Sequence, residues 1–180
     1  MKVLIITYYW PPAGGSGVQR WLKFVKYLRD FDIEPIIYTV DNPRYAIHDK
    51  SLINEIPNSI ETLRQPIFEP NSILTAFGNK TNKESAGFLN PNPNFIGKTI
   101  QYIRANYFIP DARKFWIKPS LRFLSKYLEK NHVDVIITTG PPHSLHLIGL
   151  HLKKKLNIKW ISDFRDPWTE IDYFHQMPLN

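Results

Sequence analysis

The stretch KVLIITYYWPPAGGSGVQR, residues 2–20, decides the fold class of this chain. It opens with a short apolar and β-branched run from Lys2 to Tyr8, which predicts a strand. Prolines and glycines then break the pattern. From Val18 onwards the apolar residues recur at helical spacing, as Val18, Trp21, Leu22, Val25 and Leu28. A second β-branched run, Pro35 to Val40, follows. The order of strand, glycine-rich turn, helix and strand is typical of a parallel α/β sheet.

The same unit returns near the end of the sequence. Val133 to Thr138 predicts a strand, His143 to Leu156 an amphipathic helix, and Ile158 to Ile161 another strand. In the less regular middle, Ile60 to Arg64 predicts a third strand and Ile96 to Tyr107 a helix. Strands that are apolar almost throughout indicate burial on both faces by helices. We therefore expect an α/β fold, a Rossmann-like parallel sheet flanked by helices.

Length and composition limit the class of protein. The chain has 180 residues, which suits one domain, and no cysteine, which excludes a disulfide framework and a cysteine nucleophile. The net charge of +7 favours anionic partners, among them phosphorylated ligands, nucleic acid and an acidic membrane surface. No apolar stretch approaches the about 18 residues that span a bilayer. We expect a cytoplasmic chain, and the run Lys153 to Lys155 leaves peripheral contact with the inner face of the cell membrane open.

The glycine-rich loop is the strongest candidate for chemistry. It runs from Pro11 to Gly17 between a predicted strand and a predicted helix. Glycines let a backbone approach a ligand, and a helix N-terminus presents N–H groups to an anion. One interpretation is a phosphate site formed by Gly14, Gly15, Ser16, Gly17 and Arg20. The other is a tight turn with Ser16 as the helix N-cap. Neither the dinucleotide fingerprint nor the P-loop pattern fits these residues.

A second candidate is the loop from Thr139 to Ser144, which carries His143 into a helix N-terminus. The helix dipole disfavours protonation there, so a neutral imidazole can accept a proton or bond a sugar hydroxyl. The alternative is a histidine that caps or packs. His146 lies three positions further on, but no third ligand completes a metal site, so we expect no metal.

A third candidate follows the last predicted strand. It comprises Asp163, Arg165, Asp166 and Trp168. The carboxylates can orient hydroxyl groups, and the indole can stack on a sugar. The alternative is an Arg165–carboxylate pair that braces the loop.

Two further patterns favour structural interpretations. The aromatic and basic residues of Phe115 to Lys118 and of Arg122-Phe123 fall at helical spacing, which favours core packing over nucleic-acid binding. The spacing of Glu61 and Glu69 matches a Glu-x7-Glu pattern that has meaning in sugar-nucleotide enzymes. Here it spans a predicted strand and Pro66, so we interpret it as chance.

The motifs together resemble a known family. Residues 8–20, Tyr-Tyr-Trp-Pro-Pro-Ala-Gly-Gly-Ser-Gly-Val-Gln-Arg, are similar to the opening of the GT-B glycosyltransferases of family 4, also called group 1 glycosyltransferases. The segments at 109–113, 139–149 and 163–168 are similar to one branch of it. The resemblance covers nearly the whole chain in the same order. It implies that residues 1–180 are the N-terminal, acceptor-side domain, without the C-terminal domain that holds the nucleotide-sugar.

The resemblance also implies an activity. Such enzymes move a sugar from a nucleotide diphosphate donor to an acceptor hydroxyl, with retention of configuration and without a metal. The glycine loop and Arg20 then face the donor diphosphate. His143, Asp163 and Asp166 are the catalytic candidates, and Arg165 and Trp168 the acceptor-binding ones. We expect a carbohydrate or lipid-linked acceptor, in cell-surface polysaccharide or lipopolysaccharide synthesis, and no nucleic acid. The alternative is a non-catalytic domain that binds a phosphorylated ligand or nucleic acid.

Overall fold

A computed structural model describes residues 1–69 and 95–166, and this part of the chain contains one five-stranded sheet. The strands are β1 (Lys2–Thr7), β2 (Glu34–Val40), β3 (Glu61–Gln65), β4 (Val135–Gly140) and β5 (Lys159–Phe164). The helices are α1 (Ser16–Leu28), α2 (Phe95–Tyr107), α3 (Ile117–Leu128) and α4 (Ser144–Leu156).

All neighbouring strands pair in parallel, in the order β3-β2-β1-β4-β5. The predicted Rossmann-like α/β sheet is therefore confirmed. The strand order reverses direction between β1 and β4, where Thr7 stands opposite Thr139. In open α/β sheets this switch point opens a crevice at the carboxyl ends of the strands, and ligands bind there. The loops that follow β1 and β4 thus leave the sheet side by side.

The core confirms the apolar patterns of the first unit. Leu4, Ile5, Ile6 and Ile37 have no exposed surface, because helices cover both faces of the central strands. Helix α1 buries the side that its periodicity predicts, through Val18, Trp21, Leu22 and Val25. The aromatic residues near α3 are partly core as well, since Trp116 is buried and stacks on Tyr38 at 5.0 Å between ring centroids.

Two strands continue beyond their predicted ends. β4 includes Thr139 and Gly140, and β5 includes Asp163 and Phe164, because these residues pair with one another across the ladder. Sequence reasoning stops a strand where the apolar run stops, whereas backbone pairing carries it further. As a result Asp163 lies on a strand and not in the loop where we expected it.

The expectation of burial on both faces is wrong for β5. Ile161 and Phe164 are each about half exposed, and β5 is the edge of the sheet among the described residues. An edge strand has a neighbour on one side only, so helices from one unit cannot cover it completely.

The helices are short. α1, α2 and α4 have 13 residues each and α3 has 12. Within residues 1–69 and 95–166, no helix has both the length and the apolar character needed to cross a membrane. The lysines of the run 153–155 are exposed in the last turn of α4, where positive charge suits the helix dipole.

Candidate functional site

A small crevice with a cavity volume of about 10 Å³, room for about one water molecule, opens at the switch point between the carboxyl ends of β1 and β4. Helix α1 contributes Gly17 and Trp21 to its lining, and the loop after β5 contributes Arg165. The residues that line it are Thr7, Tyr9, Gly17, Trp21, Thr139, Gly140, Pro141 and Arg165. Gly17 and Arg165, both predicted from sequence as site residues, therefore share one crevice.

The N-terminus of α1 lies at this crevice without a side-chain cap. Gly15 occupies the N-cap position with φ 103° and ψ 165°, a conformation that only glycine adopts easily. Ser16 is the first helical residue and makes no capping hydrogen bond, so the interpretation of Ser16 as an N-cap is wrong. The first turn also contains no acidic residue. An uncapped first turn leaves backbone N–H groups available to an anion.

Backbone contacts with the segment 47–49 fix the loop before α1. Gly14 donates its N–H to the carbonyl of Ile47 at 3.0 Å, and Asp49 donates its N–H to the carbonyl of Pro12 at 2.8 Å. Ala13 pairs with His48 in an isolated antiparallel bridge. The segment 47–49 therefore holds the glycine loop in place before any ligand arrives, which lowers the entropy cost of binding.

Arg165 brings a positive charge to the same helix end. Its guanidinium lies against Gly17, at a position where any side chain on Gly17 would collide with Nη1. The guanidinium also contacts Asp166, with Nη2 3.0 Å from Oδ2 and Nε 3.3 Å from Oδ1. The predicted Arg165–carboxylate pair thus exists, and it holds the guanidinium beside the positive end of α1. Asp166 balances the charge of this guanidinium as Asp163 balances that of Arg20, so an anion at the N-terminus of α1 would share Arg165 with Asp166.

Asp163 ties three elements together. Its Oδ2 accepts hydrogen bonds from Arg20, from Nε1 of Trp21 at 3.1 Å and from the hydroxyl of Thr139 at 2.8 Å. Arg20 is also its ion-pair partner, so the charge that we assigned to phosphate binding is balanced by the protein itself. In this structure Arg20 and Asp163 fix α1 against β4 and β5, one turn behind the helix N-terminus.

The N-terminus of α4 differs from that of α1, because a carboxylate already fills it. Asp111 Oδ2 accepts the backbone N–H of Ser144 at 2.8 Å, and its Oδ1 accepts the Ser144 hydroxyl at 2.9 Å. Oδ1 also accepts the N–H of Arg113 at 2.8 Å. His143 occupies the N-cap position of α4 but makes no side-chain capping bond, so the interpretation of His143 as a cap is wrong.

His143 packs beside Phe164, with ring centroids 5.7 Å apart and nearly parallel planes. Burial lowers the pKa of His143, while the charges of Asp111 and Asp166 act in the opposite direction. The imidazole is therefore neutral near neutral pH, as expected, but burial and not the helix dipole is the main cause. Asp166 is close enough to influence His143 and also pairs with Arg165, so it lies between the two halves of the site.

His146 was considered from sequence only as a metal ligand. The structure buries it to 6% exposure and stacks it on Phe164 at 4.0 Å between ring centroids. Its Nδ1 lies 2.8 Å from the hydroxyl of Thr138. The spacing of three from His143 was the sole sequence signal, and it could not reveal these contacts.

A buried polar network near β1 also escaped sequence reasoning. Tyr8 donates its hydroxyl hydrogen to Glu69 Oε1 at 2.8 Å, and Arg113 Nε lies 3.0 Å from the same oxygen. Burial raises the pKa of Tyr8. Glu61 accepts a hydrogen bond from Tyr127 at 2.8 Å. Each glutamate of the Glu-x7-Glu spacing therefore has a structural contact of its own. Trp168, the remaining predicted site residue, lies outside the described residues.

Comparison with known proteins finds structural similarity at low sequence identity only. No protein-family model matches the sequence, and no curated protein matches it. The chain is similar to the C-terminal domain (residues 78–226) of PF1911 hydrogenase from Pyrococcus furiosus, at 15% identity over 91% of this chain and 90% of that one, with a TM-score of 0.46. A structure of residues 83–215 of the same protein gives 13% identity, 89% coverage of both chains and a TM-score of 0.45. Neither similarity carries an argument about function.

Proposed function

We propose that this chain is the acceptor-side domain of a retaining GT-B glycosyltransferase. In this proposal a second α/β domain holds a nucleotide-sugar, and the sugar moves to an acceptor hydroxyl in the synthesis of a cell-surface polysaccharide or lipopolysaccharide. The N-terminal resemblance to family 4 supports the reaction class. The observation that carries the proposal is the uncapped N-terminus of α1 with Arg165 beside it, at the switch point of the sheet.

The reaction places its greatest demand on the leaving group. The bond between the anomeric carbon and the diphosphate oxygen breaks, a bond from that carbon to the acceptor oxygen forms, and the proton of the acceptor hydroxyl passes to the departing diphosphate. Negative charge grows on the departing diphosphate. Fixed N–H groups stabilise such charge without having to reorganise, and each one removed costs a factor of about 10²–10³ in rate. In this proposal the first turn of α1, from Ser16 to Val18, and Arg165 meet that charge.

The other side of the site serves the acceptor. His143 and Asp166 lie past the carboxyl end of β4 and β5, and both are polar groups that can bond a hydroxyl. Arg20 and Asp163 hold α1 in place and do not contact the ligand in this proposal. In place of the catalytic role predicted from sequence, we therefore propose that Asp163 positions α1.

The proposal is tested on the complete gene product. It is incubated with UDP-, GDP-, ADP- and dTDP-sugars, and release of the nucleoside diphosphate is followed with and without added acceptor. We expect turnover of at least one donor, a loss of about tenfold or more in Gly17→Ala, and no change in Lys155→Ala, whose side chain is exposed at the far end of α4. The 180-residue chain alone should bind a nucleoside diphosphate but not transfer sugar. Absence of turnover with every donor would overturn the enzymatic proposal.

The same observation also supports a second candidate, a domain that binds a phosphorylated ligand without catalysis. An uncapped helix with an arginine beside it binds phosphate whatever the phosphate carries. This candidate predicts saturable binding of pyrophosphate by the chain together with no turnover in the complete gene product. The donor panel therefore separates the two candidates.

A further inference from the structure

A second cavity lies at the amino ends of β4 and β5, at the opposite end of the sheet from the crevice beside α1. Its volume is about 860 Å³, which is within the range of about 300–1,000 Å³ that small-molecule sites occupy. Its lining includes Leu128 and Leu156, the last residues of α3 and α4, and residues that precede and begin the two strands. The sugar transfer proposed above uses none of them.

Five aliphatic side chains line this cavity, which we call the basal groove. Val133 is buried, and the other four pack against the core but are only partly buried: Leu128, Val135, Leu156 and Ile158. Apolar surface of this kind gains free energy when a ligand removes it from water. An aliphatic lining without aromatic rings suits an alkyl chain.

Hydrogen bonds fix the walls of the basal groove without a ligand. Asp134 donates its N–H to the carbonyl of Lys2 at 2.9 Å, and Lys2 donates its N–H to Asp134 Oδ2 at 2.7 Å. At the end of α4, Asn157 has a φ of 54° and donates its N–H to the carbonyl of Lys153 at 2.9 Å. A groove that is formed in advance lowers the entropy cost of binding.

Lys159 brings an unbalanced positive charge to the lining. It is exposed, and it forms no ion pair within residues 1–69 and 95–166. The carboxylate in the lining, that of Asp134, is already engaged, because it accepts the N–H of Lys2 and lies 3.2 Å from Nε2 of His132. Lys159 is therefore available to an anionic ligand.

The charge around the basal groove has the same sign. Helices α3 and α4 end here, and the negative ends of their dipoles are offset by Lys126 in α3 and by the run 153–155 in α4. The segments 126–134 and 153–159 together contain six lysines and two carboxylates. An anionic group beside Lys159 thus meets an excess of positive charge.

The aliphatic lining and the free lysine meet at one point. Val135 and Lys159 are direct partners in the β4–β5 ladder, so their side chains lie on the same face of the sheet. We propose that the basal groove binds a single-chain anionic amphiphile, a long-chain carboxylate. Its alkyl chain lies on the aliphatic side chains, and its head contacts Lys159. The proposed sugar transfer is not required for this site.

The first test is a series of saturated carboxylates from butyrate to dodecanoate, each titrated below its aggregation concentration into the ¹⁵N-labelled 180-residue chain. We expect the affinity to rise about fourfold per added CH₂ group until the alkyl chain fills the groove, and then to level off. The amides of Val135, Ile158 and Lys159 should shift in a saturable way. An affinity that is independent of chain length, or shifts that leave out these amides, would overturn the proposal.

Lys159→Met tests the contact with the head, because it removes the ammonium group and keeps an unbranched side chain. The variant should lose about tenfold in affinity for decanoate and keep its affinity for 1-decanol. Lys118→Met is the matched control, since Lys118 is exposed in the first turn of α3 and the groove lies at the last. A decanoate affinity that is equal in Lys159→Met and in the unchanged chain would refute the site.

Val135→Phe tests the alkyl chain, because a larger side chain fills part of the groove. It should weaken decanoate and 1-decanol alike, by about tenfold, as expected when about two CH₂ groups lose their contacts. Ile161→Phe is the control, since Ile161 is exposed on the neighbouring strand and does not line the groove. An equal loss in both variants would place the alkyl chain outside the groove. If Val135→Phe does not fold, Lys159→Met decides.

Vesicles of phosphatidylglycerol test a bilayer lipid as the occupant. Binding to vesicles that is lost in Val135→Phe, together with no saturable shifts from decanoate, would replace the free amphiphile by a membrane lipid and overturn the proposal. The result is separate from the donor panel, and saturating pyrophosphate should leave the decanoate affinity unchanged. Decanoate binding without sugar transfer would refute only the proposed enzyme, and sugar transfer without decanoate binding only the proposed groove.

Discussion

Asp111 binds the N-terminus of a helix that begins 33 residues later, at Ser144. Its carboxylate accepts the backbone N–H of Ser144 at 2.8 Å and the Ser144 hydroxyl at 2.9 Å. Both α1 and α4 start at the carboxyl edge of the sheet, yet only α1 starts without a side-chain carboxylate at its first turn. A ligand anion would have to displace Asp111 from α4, while it can bind at α1 directly.

Replacing Asp111 should therefore reduce stability without reducing anion binding. We expect Asp111→Ala to lower the free energy of unfolding by about 1–2 kcal/mol, since it removes the cap of α4. Asp49→Ala is the matched control, because Asp49 caps the short 3-10 helix Lys50–Glu55 through Ser51, and it should cost about 0.5 kcal/mol. Urea unfolding measures both. No loss of stability in Asp111→Ala would mean that the Asp111 cap contributes nothing to α4.

The two glycines at the start of α1 should respond differently to alanine. Gly17→Ala adds a methyl group where the guanidinium of Arg165 lies, and that flexible group can move away. We expect a change in unfolding free energy below about 1 kcal/mol and a loss of about tenfold in pyrophosphate affinity, because one charge-assisted contact is displaced. Titration calorimetry measures the affinity. Unchanged affinity would mean that Arg165 has no part in anion binding.

Gly15→Ala is the counterpart. No atom within 4 Å obstructs a Cβ on Gly15, so space does not limit the substitution. The backbone conformation limits it instead, because Gly15 has a φ of 103° and holding alanine in that conformation costs about 2 kcal/mol. Denaturant unfolding should show this loss of stability. An alanine that is tolerated without loss would indicate that the loop before α1 adopts another conformation in solution.

We expect the Arg20–Asp163 ion pair to contribute to the stability of the fold. Removing the carboxylate in Asp163→Ala leaves three donors without their acceptor, and we expect a loss of about 2 kcal/mol because the group is only partly buried. A double-mutant cycle with Arg20→Ala should give a coupling energy of about 1 kcal/mol. Additive effects of the two substitutions would show that the ion pair contributes nothing to the attachment of α1.

Sequence patterns predict some of these features and miss others for a physical reason. The periodicity of Val18, Trp21, Leu22 and Val25 predicts the buried side of α1 correctly, because burial of a helix face is a local property of the sequence. The contact of Arg20 with Asp163 joins residues 143 positions apart, and it exists only because β4 and β5 extend past their apolar runs. The hydrogen bond between His146 and Thr138 likewise depends on how α4 packs on β4, which no spacing along the sequence encodes.

Stability should fall in mild acid because of His146. Its pKa is about 4 in the folded chain and about 6.5 in an unfolded one, so the unfolded state binds more protons between these values. The contribution of neutral His146 to the free energy of unfolding is therefore complete above about pH 6.5. It is lost as the pH falls towards 4, with a slope of up to about 1.4 kcal/mol per pH unit. Unfolding free energies measured from pH 7 to 4.5 should show this slope. It should be smaller in His146→Phe and unchanged in His151→Gln. The same slope in all three proteins would exclude His146 as its source.

The most direct test of the anion site is to add pyrophosphate to the ¹⁵N-labelled chain and follow the backbone amides. If the uncapped end of α1 binds the diphosphate, the amides of Ser16, Gly17 and Val18 shift in a saturable way, while the amide of Ser144, already bonded to Asp111, does not. Shifts confined to Ser144 and its neighbours, or no saturable shift at Ser16 to Val18, would contradict the assignment of a phosphate site to α1.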